Sequence, residues 1–348
     1  MRRVLATVAV ALLLASVATP AHATNDQFWG RQYGPEQIGG PLAWTKTRGS
    51  GVIIAVVDSG VDVDHPDLKA KLVAGRDFSD SDANPDDDSQ LKDGNDVVVQ
   101  GHGTHVAGIA AAVTDNGIGM AGMAPDARIM PLKVFSSKAT ASLLDAVTAI
   151  PNAIRYAVDN GAKVINLSVG TFQGLSLVGV LETPCADAYA RGALCVVASG
   201  NSGQQNASGY QRGFQALVVT ANDKAGKHAG FGQRADTQWA VSAPGVAIWS
   251  TVPVEMGSYG EKQGTSMAAP HVAGAAALLF AQGLSNSAVV DRLLTTARSM
   301  GDNGTNGAGR IDAAAAVGAV APAPTSAAAA AEGGTTATTR RTAPGGGA

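Results

Sequence analysis

Three short stretches of the sequence carry side chains that could catalyse acyl transfer together. The stretch VVDSGVD contains Asp58, GHGTHVAG contains His102, and GTSMAAP contains Ser266. A serine hydroxyl is a weak nucleophile unless a neutral imidazole accepts its proton, and the imidazole needs a carboxylate that fixes its tautomer and stabilises its charged form. The three residue types therefore predict a nucleophilic hydrolytic site if the fold brings them together.

Each of these residues also has a structural explanation. Asp58 could be a turn residue, and His102 could be an ordinary loop histidine. Thr265 or Ser266 could cap the apolar helix predicted over 268–280, because hydroxyl oxygens accept hydrogen bonds from the free N–H groups of a first turn. No Glu or Gln follows three residues after either hydroxyl, so the capping-box pattern is incomplete. The occurrence of all three stretches in one chain favours catalysis over three separate structural roles.

The elements around these stretches predict how they could meet. Apolar segments of strand length alternate with helical segments, which predicts a mainly parallel sheet covered by helices on both faces, a three-layer α/β/α fold. In such sheets the carboxyl ends of the strands form the site, and three of the predicted strands end in polar or glycine-rich residues, at 58–60, 166–170 and 199–201. The strands are predicted at 52–58, 127–135, 162–170, 193–201, 216–221 and 240–245, and the helices at 104–113, 142–161, 183–192 and 268–280.

The composition sets bounds on size and partners. The chain has 348 residues, of which 45% are hydrophobic and 15% charged, and its net charge is −3. That length is enough for one large α/β core or two modest domains. Because the sequence has no strongly basic surface, nucleic acid is not an expected partner, and we expect a monomer whose partners are protein or peptide substrates.

Both ends of the chain differ in composition from the middle. Residues 1–23 have a basic start, an apolar stretch and a small-x-small site, which predicts a secretory signal peptide and a secreted protein, extracellular or periplasmic where the host has an outer membrane. The apolar stretch is short for a membrane span, and a retained anchor is the alternative. Residues 319–348 are rich in Ala, Thr, Pro and Gly, which predicts a disordered tail. One domain is therefore expected over 24–318, with no membrane partner.

The chain contains two cysteines, Cys185 and Cys195, and export would permit a disulfide between them. Cys185 lies in the predicted helix 183–192, and Cys195 lies near the start of the next strand. The average spacing between a helix and a packed layer leaves the two backbones roughly 7 to 8 Å apart, whereas a disulfide needs Cα atoms closer than about 7 Å. This spacing slightly favours two buried thiols and leaves the disulfide open.

The three stretches together resemble the subtilisin-like serine proteases, peptidase family S8. DSGVD, HGTHVAG and GTSMAAPHVAG occur in the order Asp, His, Ser, and the similarity extends over about residues 25–317. The run NDQFWGRQYGPEQIGGPLAW is most similar to the thermitase branch. The resemblance implies a serine endopeptidase with Ser266 as nucleophile, His102 as general base and Asp58 as orienting carboxylate. It also implies that Asn201, in ASGNSG, donates its amide to the oxyanion, with a Gly-Asn turn as the structural alternative.

The resemblance implies where a peptide substrate binds. One segment corresponds to the strand that pairs with an extended substrate, a second to the opposite wall of the first specificity pocket, and Gly209 to the pocket floor. A glycine floor leaves room for a large apolar residue before the cleaved bond. The sequence departs from many relatives at Tyr210-Gln211, where they have Tyr-Pro. The two walls are Leu167, Ser168, Val169 and Gly170 on one side, and Ala198, Ser199 and Gly200 on the other.

The resemblance also implies structural calcium and no catalytic metal. Hard oxygen ligands suit Ca²⁺, and solvated turn carboxylates are the alternative explanation. Asp77, Asp80 and Asp82 could form a second, weaker calcium site or could belong to a solvated acidic loop. The ligands implied for the stronger site are Asp67, Asn116, the backbone carbonyls of Thr114, Ile118 and Met120, and the thermitase-type ligand Asp26.

Two further features bear on function. His102 and His105 form an H-x-x-H pair, but the zincin motif H-E-x-x-H is absent, so we expect His105, like His271, to be a buried structural histidine. The protease-like sequence begins almost directly after residue 23, where most secreted relatives carry a pro-segment; the chain folds without one, its start is mis-assigned, or a separate protein supplies that function. The rival functions are an inactive binding module on the same scaffold and a processing protease of narrow specificity.

Overall fold

The computed structural model describes residues 24–80, 82–89, 99–138, 143–169, 171–172, 175–176, 178–204, 210, 213–234, 237–301 and 306–319. The predicted signal peptide at 1–23 and all but the first residue of the predicted tail lie outside the described residues. The helices are α1 (Gly34–Gln37), α2 (Gly40–Ala43), α3 (His102–Ala111), α4 (Leu143–Asp159), α5 (Val178–Ala190), α6 (Thr265–Ala281), α7 (Asn286–Thr295) and α8 (Ala313–Ala316). The strands are β1 (Ile53–Asp58), β2 (Arg76–Asp77), β3 (Arg128–Lys133), β4 (Val164–Leu167), β5 (Thr171–Phe172), β6 (Leu175–Ser176), β7 (Leu194–Ala198), β8 (Leu217–Asn222), β9 (Ala240–Pro244), β10 (Ile248–Thr251) and β11 (Tyr259–Lys262).

The main sheet has seven strands in the order β2-β3-β1-β4-β7-β8-β9. Every neighbouring pair in it is parallel. The strands β1, β4 and β7 lie side by side, with Ala55 opposite Ile165 and Ile165 opposite Cys195. Their carboxyl ends therefore reach the same edge of the sheet, which is the edge expected to carry the site.

Helices cover both faces of this sheet. Ile54 and Val56 of β1 belong to the core that contains α3 and α6, whereas Ala55 and Val57 belong to the core beneath α4 and α5. Successive side chains of a strand point to opposite faces, so a strand buried on both sides must be apolar throughout. The predicted three-layer α/β/α fold is confirmed.

Helix α6 crosses the middle of one core. All but three of its 17 residues are buried, and it contacts β4, β7, β8 and β9. A helix that is apolar on every side belongs in the interior of a protein. Its first turn, which carries Ser266, is consequently held by the surrounding core.

The hairpin of β10 and β11 was not predicted from the sequence. β10 reads IWST, so it lacks the apolar run that marked the other strands, and yet Ser250 and Thr251 are fully buried. The Ser250 hydroxyl donates to the His105 carbonyl at 2.7 Å, and the Thr251 hydroxyl donates to the Thr104 carbonyl at 2.7 Å. Burial of these hydroxyls is tolerated because each donates to a carbonyl of α3.

Cys185 and Cys195 form a disulfide, with Cα atoms 5.8 Å apart. The preference for two buried thiols was therefore wrong. Helix α5 ends at Ala190, and Gly192, with φ +82°, turns the chain directly into β7. The backbone N–H of Ala193 still bonds to the carbonyl of Ala188 in the helix, at 3.0 Å, so helix and strand lie closer here than the average layer spacing.

Candidate active site

Asp58 and His102 meet at the carboxyl edge of the sheet. Asp58 is the last residue of β1 and fully buried, while His102 is the first residue of α3 with its side chain 24% exposed. The Nδ1 atom of His102 lies 2.7 Å from Oδ1 of Asp58. Gly103 makes this approach possible, because a Cβ atom there would lie 2.1 Å from the Gly60 carbonyl oxygen.

The environment of His102 favours its protonated form. Burial alone would lower the pKa of His102, but the charge of Asp58 and its hydrogen bond outweigh burial and raise this pKa above its ordinary value. The positive charge of Lys262 acts in the opposite direction. An imidazole with a raised pKa is a stronger proton acceptor, which suits a general base working at neutral to alkaline pH.

Ser266 is the second residue of α6, and its hydroxyl donates to the carbonyl of Ser168 at 3.1 Å. The carbonyl of Ser266 lacks its usual helical partner because Pro270, four residues later, has no N–H. The Ser168 hydroxyl fills that gap and donates to the Ser266 carbonyl at 2.9 Å. The nucleophile candidate is therefore tied to the segment after β4, and its hydroxyl donates to Ser168 in this structure.

Asn201 caps the helix that carries Ser266. Its Oδ1 atom accepts hydrogen bonds from the N–H of Thr265 at 2.9 Å and from the Thr265 hydroxyl at 3.1 Å. The N-cap residue itself is Gly264, whose φ of +149° suits glycine. The idea that Thr265 or Ser266 caps α6 was therefore wrong. Because Oδ1 is bound to Thr265, Nδ2 is the amide atom of Asn201 that could serve as an oxyanion donor.

The two predicted walls of the substrate pocket lie on neighbouring strands. Leu167 ends β4 opposite Val197 of β7, and Ala198 ends β7. Ser168, Val169, Ser199 and Gly200 follow directly, so the two wall segments leave the sheet side by side. Gly170, Gly209 and Gln211 lie outside the described residues.

Tyr210 is buried behind one wall. Its side chain is 1% exposed, and its hydroxyl donates to the carbonyl of Ala198 at 3.0 Å. Burial raises the pKa of this phenol well above its ordinary range. Tyr210 thus supports the wall segment from within the core.

The structure brings together the main residues of the predicted calcium site. Both oxygens of Asp26 accept backbone N–H bonds at 3.1 Å, from Asp115 and Asn116. Asp67 is fully buried and accepts from the side-chain amide of Asn116 and from the N–H of Met120, both at 2.9 Å. Burial raises the pKa of Asp67 to about 6, although these hydrogen bonds act against it.

The acidic loop is organised by a lysine. The Lys133 ammonium, on a side chain 2% exposed, lies 3.0 Å from both Asp77 and Asp80 and also contacts Asp88. These carboxylates raise the pKa of Lys133 beyond its ordinary range against the effect of burial. Asp82 instead accepts the N–H of Asn84 at 2.8 Å. The loop therefore matches neither a second calcium site nor a merely solvated segment, because an ammonium group occupies the position between the carboxylates.

Two further histidines, His105 and His271, are structural, as predicted. His105 and His271 are buried, and burial lowers the pKa of His105 to about 3 and of His271 to about 4. Nε2 of His105 faces the carbonyls of Ile248 and Gly260, and Nδ1 of His271 faces the carbonyl of Met267. Within the described part of the chain, no three His, Cys, Asp or Glu residues form a group that could hold a metal ion.

Asp87, a buried residue beside the catalytic candidates, was not predicted from the sequence. Asp87 is 3% exposed and accepts hydrogen bonds from both sides of the Asp58–His102 pair. The signal that could have identified it is the run PDDDS, which precedes GHGTH by fewer than 20 residues.

Comparison with known proteins identifies the scaffold. A model of the subtilase family matches residues 49–311. The chain is 42% identical to thermitase of Thermoactinomyces vulgaris over 299 residues, which cover 84% of this chain and 98% of thermitase. It is 36% identical to subtilisin DY of Bacillus licheniformis over 274 residues, which cover 77% of this chain and 92% of that protein. Among solved structures, one described as proteases from Pseudoalteromonas arctica has a TM-score of 0.71 and 29% identity, covering 84% of this chain and 98% of that chain.

The matched segment contains all three stretches from which the family was predicted. None of the helices in the described ranges is long and apolar enough to span a bilayer. The chain belongs to the subtilase family, peptidase S8, and is a subtilisin-like serine endopeptidase.

Proposed function

We propose that this endopeptidase is secreted and hydrolyses peptide bonds through an acyl-enzyme intermediate formed on Ser266. The observation that carries the proposal is the buried Asp58 carboxylate 2.7 Å from Nδ1 of His102, which leaves Nε2 to act as the base. Secretion is supported by the composition of residues 1–23 and by the disulfide, which is stable in an oxidising compartment.

In this mechanism the imidazole of His102 moves the proton twice. Nε2 accepts the proton of the Ser266 hydroxyl while the Ser266 oxygen attacks the substrate carbonyl, and it then donates that proton to the leaving amine. Asp58 holds the proton of Nδ1 and stabilises the imidazolium without becoming protonated. A water molecule then attacks the acyl-enzyme while Nε2 accepts its proton. Nε2 returns that proton to the Ser266 oxygen, and the second product is released. The free N–H groups of the first turn of α6 favour the anion that forms beside Ser266.

Asn201 is proposed as the side-chain donor to the oxyanion. Asn201→Asp would retain the cap on Thr265 but replace the Nδ2 donor with a negative charge, and Asn201→Gly would remove both. We expect either substitution to lower kcat about 100- to 1000-fold with little change in KM, as removal of this donor does in a subtilisin. Steady-state kinetics on a chromogenic peptide would test this. A loss of less than about tenfold would contradict the oxyanion role.

We further propose a broad specificity with preference for large apolar residues before the cleaved bond. The proposal is supported by the position of Leu167–Val169 and Ala198–Gly200 at the carboxyl ends of the neighbouring strands β4 and β7, because backbone pairing binds a peptide without demanding particular side chains. Mass-spectrometric mapping of cleavage sites in a peptide library would test it, with the Ser266→Ala protein as the control for contaminating proteases. Cleavage confined to one basic or acidic context would instead indicate a processing protease.

Structural calcium is proposed at the site that includes Asp26, Asp67, Asn116 and the carbonyls of Thr114, Ile118 and Met120. The donor set fits Ca²⁺, because two buried carboxylates face the same loop and the raised pKa of Asp67 indicates a buried charge that a cation would stabilise. Asn116 directs its nitrogen at Asp67, so its amide must rotate to offer oxygen. The ion would hold the loop and take no part in catalysis.

Chelation should therefore destabilise the protein. At a calcium concentration about 100 times Kd, the folded state gains about 2.7 kcal/mol, which corresponds to a Tm rise of about 4 °C for a domain of this size. Differential scanning calorimetry in calcium and in EDTA would measure this difference. Asp67→Asn should abolish it, whereas Asp64→Asn, at an exposed carboxylate paired with Lys69, should not. Equal Tm values of the wild type in calcium and EDTA would contradict the proposed site.

A further inference from the structure

One buried carboxylate beside the active site is not used by the proposed reaction. The side chain of Asp87 is almost fully enclosed. Its Oδ1 atom accepts from the Ser59 hydroxyl at 2.8 Å and from the N–H of Gly101 at 3.0 Å. Its Oδ2 atom accepts from the N–H of Thr104 at 3.0 Å and from the Thr104 hydroxyl at 2.6 Å. Both oxygens are therefore held by fixed donors, and two of those donors are backbone groups that cannot turn away.

On one side, these bonds reach the loop that follows Asp58. Ser59 is the next residue, and its N–H donates to the same Asp58 oxygen that His102 contacts, at 2.8 Å. The hydroxyl of Ser59 accepts the N–H of Gly103 at 2.9 Å while it donates to Asp87. The position of the Asp58 carboxylate is thus coupled to Asp87 through one residue.

On the other side, Asp87 caps the helix that begins with His102. The N-cap residue of α3 is Gly101, which has no side chain to offer. Asp87 supplies the cap from outside the helix, because it accepts the N–H groups of Gly101 and Thr104, on either side of His102. A carboxylate at a helix N-terminus is also stabilised by the helix dipole. The backbone of His102 is consequently held on both sides by a single carboxylate.

The segment that carries Asp87 is packed directly against the loop after β1. Gly60 has φ +112°, and a Cβ atom there would lie 2.3 Å from the carbonyl oxygen of Asp86. The N–H of Val61 donates to the carbonyl of Pro85 at 2.9 Å. Asp87 therefore cannot shift relative to Asp58 without breaking backbone contacts.

Charge adds to this geometric role. Burial raises the pKa of Asp87 to about 6 while its four hydrogen bonds act against that effect, so the carboxylate is ionised where His102 acts as a base. Its charge raises the pKa of His102 in the same direction as Asp58, and Lys262 opposes both. The charges of Asp62 and Asp88 act on Asp86, in the segment that carries Asp87.

We propose that Asp87 is a positioning residue for the catalytic pair: it ties the loop after Asp58 to the first turn of α3 and so fixes the Asp58–His102 hydrogen bond. This proposal rests on the catalytic roles proposed above. Asp87 does not touch the substrate, and it acts through the geometry and the basicity of His102.

The test compares Asp87→Asn with Asp86→Asn. An asparagine amide at position 87 must direct its NH₂ at one backbone N–H, either that of Gly101 or that of Thr104, so that N–H loses its acceptor. We expect kcat per active site, counted by fluorophosphonate titration, to fall about 10- to 100-fold with KM nearly unchanged. The acid limb of kcat/KM should move to lower pH because a charge that supports the imidazolium is lost. Asp86→Asn, whose carboxylate accepts the N–H of Val63, should match the wild type.

Other outcomes separate the possible failures. If Asp87→Asn lowers only the fraction of active protein, with kcat per titrated site and the pH profile unchanged, its role is merely structural and the proposal is overturned. If Asp87→Asn does not fold, Ser59→Ala carries the test: it should lower kcat per titrated site about 3- to 10-fold, and a wild-type value overturns the proposal. If the wild type itself neither reacts with the probe nor cleaves peptides, the proposed function fails and not this inference alone.

Discussion

Replacing Ser266 by alanine should reduce kcat about 10⁶-fold while leaving the protein folded. In a subtilisin, for which this effect has been measured, loss of the nucleophile lowers kcat about 2 × 10⁶-fold. The remaining rate comes from the oxyanion site and substrate binding. The Ser266 hydroxyl donates one structural hydrogen bond, to the carbonyl of Ser168. Its removal should therefore lower the free energy of unfolding by only about 1 kcal/mol.

The measurement is kcat on a chromogenic peptide together with Tm for both proteins. Ser287→Ala, at an exposed serine on α7, is the matched control and should behave as the wild type. Activity of Ser266→Ala above about one hundredth of the wild-type value, in protein free of other proteases, would rule out Ser266 as the nucleophile.

Replacing Asp58 by asparagine should lower kcat about 10⁴-fold. An asparagine amide can donate to Nδ1 of His102 and so place the ring proton on Nε2, where it can no longer accept the proton of Ser266. The loss of the Asp58 charge also removes the main cause of the raised pKa of His102. The acid limb of kcat/KM should consequently shift to lower pH, which a purely steric defect would not produce.

The pH profile and kcat of Asp58→Asn are measured with the same peptide. Asp62→Asn removes a carboxylate from the same loop, one that accepts the N–H groups of Asp64 and Val254, and it should retain most of the activity. A loss smaller than about 100-fold with an unmoved acid limb would show that Asp58 does not orient His102.

The catalytic candidates could be predicted because each lies in a long, specific stretch of sequence at the end of a strand or the start of a helix. The parallel sheet followed from the apolar runs, since strands buried on both faces, such as β1 and β7, carry few polar residues. The alternation of helices and strands then placed Asp58 and the segments after β4 and β7 at one edge.

Features that depend on tertiary contacts could not be predicted in this way. The acidic loop appeared solvated because its cation, Lys133, lies more than 40 residues away on β3. The cap of α6 came from Asn201, on a different strand end, and not from the hydroxyls beside it. The disulfide was not favoured from the sequence because an average layer spacing ignores the tight turn at Gly192. The first two outcomes were decided by contacts between segments distant in sequence, and the third was decided by a local turn.

The most direct test of the central claim is covalent labelling of the folded protein with a fluorophosphonate, followed by intact-mass measurement and peptide mapping. We predict one adduct per molecule, located on Ser266, and strongly slowed labelling in His102→Ala because the hydroxyl loses its base. A folded protein that takes up no label, or that carries it on a different residue, would contradict the assignment of Asp58, His102 and Ser266 as a working catalytic unit.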